Sequence, residues 1–223
     1  MPILSPQADH LAVVFVGSFN PAIFHPEWLV RQGMIQEADL ESAKLDVSSP
    51  DISRFDVAGI GIEVLHERLQ LYTQDLSREP FLQDTASSIL AKLPHTPIRA
   101  CGLNSSHHYN LANEKYWHKI GHILAPKDLI WDDLLENPGM EQLTVKGMRH
   151  GEYAGSVNVT IQPSMRFKHG LFVSSNTHYG ATAEEESISM EKLQGFISAE
   201  WQAAFQIARK TAQTIFERIN DHD

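Results

Sequence analysis

Cysteine is nearly missing from this sequence: Cys101 stands alone, so no disulfide forms within the chain and no cysteine-rich zinc site can be built. The Cys101 thiol sits in the apolar run IRACGL, where an inert, buried role is expected rather than nucleophilic catalysis. Long apolar runs are missing too. The first, residues 11–16, falls far short of the roughly 20 residues of a membrane span or the core of a secretion signal, and no Lys or Arg precedes it. Both absences point to the cytoplasm and away from membranes. Basic residues are the third shortage: 18 Lys and Arg face 28 Asp and Glu, and the net charge of -10 repels a phosphate backbone over most of the surface. Nucleic-acid binding is therefore disfavoured, and Lys146, Arg149, His150, Arg166, Lys168 and His169 read as solvated hairpin ends.

What remains is an ordinary globular composition, 42% hydrophobic and 21% charged. Periodicity places a strand at residues 11–16 and a short helix that starts at Pro26, which has no N–H to leave unpaired, and ends at Gly33. A second helical piece is expected at 37–44. Two β-like stretches follow within 52–72, one through Val57, Ile60, Ile62 and Val64 and one with Leu69 and Leu71, paired antiparallel. Apolar residues at helical spacing mark a helix at 80–93, and a short strand at 98–103 runs into the polar stretch 104–109. Asn113 caps another helix, and a helical turn is expected at 128–135. The last third reads as a three-stranded meander, 143–148, 156–161 and 171–175, followed by one helix over 189–219. At 1.5 Å per residue that helix is roughly 45 Å long, longer than a small sheet is wide, so its end from Ala208 to Ile219 is expected to overhang.

This order predicts an α+β fold: a largely antiparallel sheet with helices on one face and a long C-terminal amphipathic helix. Strands followed by a helix occur twice, which suggests two similar fused halves, about 1–110 and 111–223, within a single domain.

Three groups of residues invite chemistry. Gly17, Ser18, Asn20 and His25 follow the first strand and lead into a helix start, where unpaired backbone N–H groups can cradle a phosphate. The run Gly17, Ser18, Phe19, Asn20, Pro21 resembles the G-S/T-F-D-P strand-turn of the nucleotidyltransferases, which implies nucleotide binding. The H-x-G-H motif of that family is not present: His25 is preceded by Ala22, Ile23 and Phe24 and followed by Pro26, Glu27 and Trp28. His118 and His122, four apart on a helix, can turn toward one divalent metal, with His107 and His108 as distant further ligands. Lys119 occupies the place of the zinc-peptidase glutamate, and no other cofactor is indicated. Ser18 lacks a G-x-S-x-G elbow, and the acidic run Glu184, Glu185 and Glu186 suits the positive end of the last helix.

The third group is the stripe Trp201, Phe205, Ala208, Ala212 and Phe216 on the long helix, whose small residues would let a partner approach closely. The layout, chiefly residues 97–104 and 198–219, resembles a sporadically distributed bacterial family of α+β proteins to which no catalytic residues are assigned. That resemblance implies a bacterial or phage source and a defence-related setting. The expected function is a protein that acts through contacts with itself or with another subunit.

Overall fold

The computed structural model describes residues 5–111 and 113–220. Nine strands make one antiparallel sheet, and its middle is set by strand β1 (Ala8–Gly17). In β1, Leu11, Val13 and Phe15 point to the core, while His10, Val14 and Val16 point the other way, the two-residue period of a strand. On one side β1 pairs with β5 (Arg68–Thr73), and on the other with β6 (Ile98–Asn110).

The expected pair of β-like stretches within 52–72 is in fact three strands: β3 (Ile52–Val57), β4 (Ile60–Leu65) and β5. The extra reversal falls at Ala58 and Gly59, both at positive φ (52° and 81°), the two-residue turn whose twist matches the flanking strands. A short edge strand β2 (Lys44–Ser48) adds to β3. It begins after a 3-10 turn, Glu37–Ser42, which stands where a helical piece was expected. The meander of the last third is present as β7 (Leu143–Arg149), β8 (Gly155–Pro163) and β9 (Gly170–Gly180). The strand order is β2-β3-β4-β5-β1-β6-β9-β8-β7. Outward from the central β1–β6 pair the order is alike on both sides, each half laying its last strand against its first.

Helices α1 (Pro26–Arg31), α2 (Glu79–Lys92), α3 (Glu114–Leu124) and α4 (Met190–Asn220) belong with one face of this sheet. The core between them divides into two apolar clusters. The larger joins Phe15, Phe55, Leu71, Leu82, Ile89 and Leu103 to Phe196, Ile197, Trp201 and Phe205 of α4. The smaller joins Tyr109, Ile120, Leu171 and Val173 to Ala208, Ala212, Ile215 and Ile219.

These clusters correct the expectation for α4. Trp201, Phe205, Ala208 and Ala212 are buried against the protein's own sheet, and Phe216 lies edge-on to Tyr109 with ring centroids 5.3 Å apart. The C-terminal end of α4 does not overhang, because β6, β9 and α3 extend beneath it. Four of the five stripe residues are core, and Phe216 packs at the edge of the smaller cluster. No described helix is long and apolar enough to cross a membrane.

Candidate functional site

Helices cover the inward residues only, so among the described residues the opposite sheet face carries no helix. Register fixes what that face displays. Across β6, β9 and β8 runs a row of amides, Asn104, Asn176 and Asn158, and beside it a row of hydroxyls, Ser106, Ser174 and Thr160, continued by Thr144 of β7. The Asn176 amide donates to Asn104 Oδ1, and the hydroxyls of Thr144 and Thr160 are 2.9 Å apart. Rows of this kind present donors and acceptors at the interstrand spacing of about 4.8 Å.

Two ring pairs flank the rows. His10 stacks on Tyr72 (centroids 5.6 Å apart, planes at 24°), and His108 leans on Phe172 at 4.8 Å. Tyr72 lies across the strand beside it because Gly61 leaves room: a Cβ there would stand 2.1 Å from the ring. The Ser164 hydroxyl, 2.8 Å from His108 Nδ1, accepts from the Arg166 N–H, and so ties the β8–β9 loop to this end of the face. Burial, and then the Arg166 charge, hold both His10 and His108 below the ordinary imidazole value, so their rings are neutral at pH 7.

Charge is unevenly placed. Glu63 accepts from both Arg54 and Arg68 in a closed ion-pair group on β3, β4 and β5. Burial raises its carboxyl pKa, but the two guanidinium groups outweigh that and hold it below the usual value. From β5 across to β7, the outward positions carry no carboxylate; the cations at this face are Arg68 and Lys146, the exposed Arg99 at the start of β6, and Arg166 of the β8–β9 loop beside His10 and His108. In a chain of net charge -10, this surface has been cleared of acid.

The inward side has its own polar seam, between the two apolar clusters. His107 is fully buried, with Nδ1 on Asp9, and Arg209 of α4 reaches the same carboxylate at 3.3 Å. The Ser105 and Ser175 hydroxyls pair at 3.0 Å next to it. Burial lowers the His107 pKa, against the raising effect of Asp9. Its Nε2 is buried without a hydrogen-bond partner among the described residues, facing core and no cleft. The triad pins α4 to the middle of the sheet.

The phosphate-cradle expectation fails on its backbone. The N–H groups of Gly17, Ser18 and Phe19 donate to Glu67 O (3.0 Å), Pro97 O (3.0 Å) and His66 O (2.7 Å), so none is left for a ligand. Gly17 serves close packing, since a Cβ there would stand 2.4 Å from Pro97 O. Asn20 Oδ1 caps a 3-10 turn by accepting from Ala22 N–H. His25 Nδ1 caps α1 from 3.2 Å and lies 3.0 Å from Glu27 Oε2, serving one or the other according to its proton. Helix α1 has only six residues. These four positions are a strand exit and two caps.

His118 and His122 line an open cleft of about 450 Å³ together with Trp117, Ile120, Met140 and Leu171. Each faces a different carboxylate, Glu114 and Asp128, at 3.9 Å. Among the described residues, no group of three or more His, Cys, Asp or Glu is placed to hold a metal ion. His107 and His108 are far from being a common ligand pair, since adjacent strand residues point to opposite faces. Cys101 is buried, and burial pushes its thiol pKa well up, as an inert role requires.

Sequence reasoning passed over Asp9, His10, Tyr72, Asn104, Ser106, Asn158, Phe172, Ser174, Asn176 and Arg209. The available signal was the similarity of the polar runs NSSHHYN (residues 104–110) and SSNTHYG (residues 174–180), which pair directly with each other's strands. No protein-family model matches this chain, and no curated protein matches it in sequence.

Proposed function

We propose that this protein is a binding module whose helix-free sheet face receives a partner protein. The observation that carries the reading is the cleared charge: a face rich in amides, hydroxyls and paired rings, without a carboxylate from β5 to β7, on a chain of net charge -10. Charge depletion with aromatic enrichment is the compositional mark of an interface core, whereas a solvated sheet face favours Lys and Glu. Six strands at about 4.8 Å, each five or more residues long, give on the order of 600 Å² of flat surface, close to one side of a standard interface. The side-chain cations here, of which Arg68 is already held by Glu63, are fewer than the roughly six to ten phosphate contacts of a nucleic-acid binder, and a nucleic-acid backbone would meet repulsion from the rest of the molecule.

The test places a photo-crosslinking residue at Thr160 and, once the adduct identifies a protein, measures binding of that purified protein by calorimetry. Asn176→Arg is expected to weaken it by about 100-fold, in keeping with a change at an interface centre. Unchanged affinity of Asn176→Arg, or an adduct with nucleic acid in place of protein, would sink the proposal.

A further inference from the structure

The largest departure from ordinary burial lies in the connection between α3 and β7. Leu129, Ile130, Trp131, Leu134 and Leu135, five apolar side chains within seven residues, are between 44% (Trp131) and 77% (Leu129) exposed. Together they leave on the order of 500 Å² of apolar surface in water, at the upper end of what a monomer shows as one patch. The segment is already wound: the N–H groups of Trp131 and Leu135 donate to Lys127 O and Trp131 O, both at 2.8 Å, the four-residue step of an α-helix. The Asp132 and Leu134 N–H groups donate to Lys127 O (3.1 Å) and Trp131 O (3.0 Å) as well, so the segment is a series of tight turns in which the apolar side chains alternate with Asp128, Asp132, Asp133 and Glu136.

The cleft described above opens beside this segment. Its wall is apolar, from Trp117, Ile120, Met140, Pro163 and Leu171, and its rim carries His118, His122 and Lys127. Knob and hole are thus neighbours on one surface. Neither fills the other within the chain, because the knob side chains are exposed while the cleft stands open.

We infer that the occupant is a second copy of this chain: residues 128–135 of one protomer seat in the cleft of the other, and the exchange is mutual. A patch that holds both a knob and its matching hole is self-complementary, which is what a two-fold dimer interface requires. Two knobs and two clefts bury on the order of 1,500 Å² in total, within the range of a specific dimer. This inference goes beyond the binding role of the open face and does not depend on it, since the two surfaces share no residue.

Light scattering at roughly 100 µM protein is expected to give twice the 25.1 kDa chain mass. Ile130→Glu combined with Leu134→Glu is expected to give the single mass with an unaltered far-ultraviolet circular dichroism spectrum, while Asn176→Arg stays dimeric. The buried Cys101 leaves the background clear for a second test by crosslinking. Trp131→Cys and Met140→Cys proteins, mixed and oxidised, are expected to yield a disulfide-linked peptide pair containing both positions. A wild-type mass of 25.1 kDa at that concentration overturns the inference, as does a dimer unaffected by the double variant or a mixture with no such peptide pair.

Discussion

Single residues here do opposite work on the two sides of one strand. His107 points inward to Asp9 and Arg209, while His108 points outward to Ser164 and Phe172. Asp9 joins the buried His107 to the half-buried Arg209, so Asp9→Ala leaves both without their carboxylate and is expected to cost about 2 kcal/mol in denaturant unfolding, more than an exposed pair would. Glu63 supplies the pH test. Its folded pKa lies below its unfolded value, so the stability it adds is present above the ordinary carboxylate range and is lost as pH falls through the lowered folded pKa. Melting temperatures of wild type and Glu63→Gln should therefore converge toward low pH, with the variant less stable by about 1–2 kcal/mol at pH 7. Sequence inspection singled out both histidines but not their opposite directions, because residues 104–109 read as a polar loop. Asn and Ser favour turns by bonding their own backbone, and only pairing on both sides overrides this.

Elements were most legible where apolar spacing was regular. Helices α2 and α4 and the three strands of the last third were all foreseen, since their periods of 3.6 and 2 are carried by the residues that build the core. The boundary between β3 and β4 was missed because Ala58 gives no turn signal, although it adopts the positive φ that glycine or asparagine usually supplies. Helix α4 was found in full, but the role of its far end was not. Ala212, Ile215 and Ile219 close the second apolar cluster over Tyr109 and Leu171. Truncation after Lys210 is expected to remove roughly 5 kcal/mol and to lower the melting temperature, an effect on folding read by calorimetry. A truncated chain that melts like the full one would show that the end of α4 is dispensable to the core.

At the scale of the whole molecule, composition misled in one respect. A net charge of -10 describes the average surface, whereas the sheet places its acids on the helical side and at the β2–β4 end. No average reveals such a division; it depends on which strands become neighbours. The α+β class and the one-sided helices were legible in the order of the elements, but the face they leave bare was not, since its residues come from six strands. Those strands are also joined in an unequal way. The hairpins β3–β4, β4–β5 and β7–β8 close over a few residues, while β1 and β6 bring Leu11 to Ser105, and β6 and β9 bring Asn104 to Asn176. Local hairpins form early, and distant pairings wait for their loops to close. The amide row consists of partners from β6, β9 and β8, so it comes into being only after the second half of the chain has been made and folded. A partner that docks on this row, as proposed above, would therefore select chains in which β6, β8 and β9 are already paired.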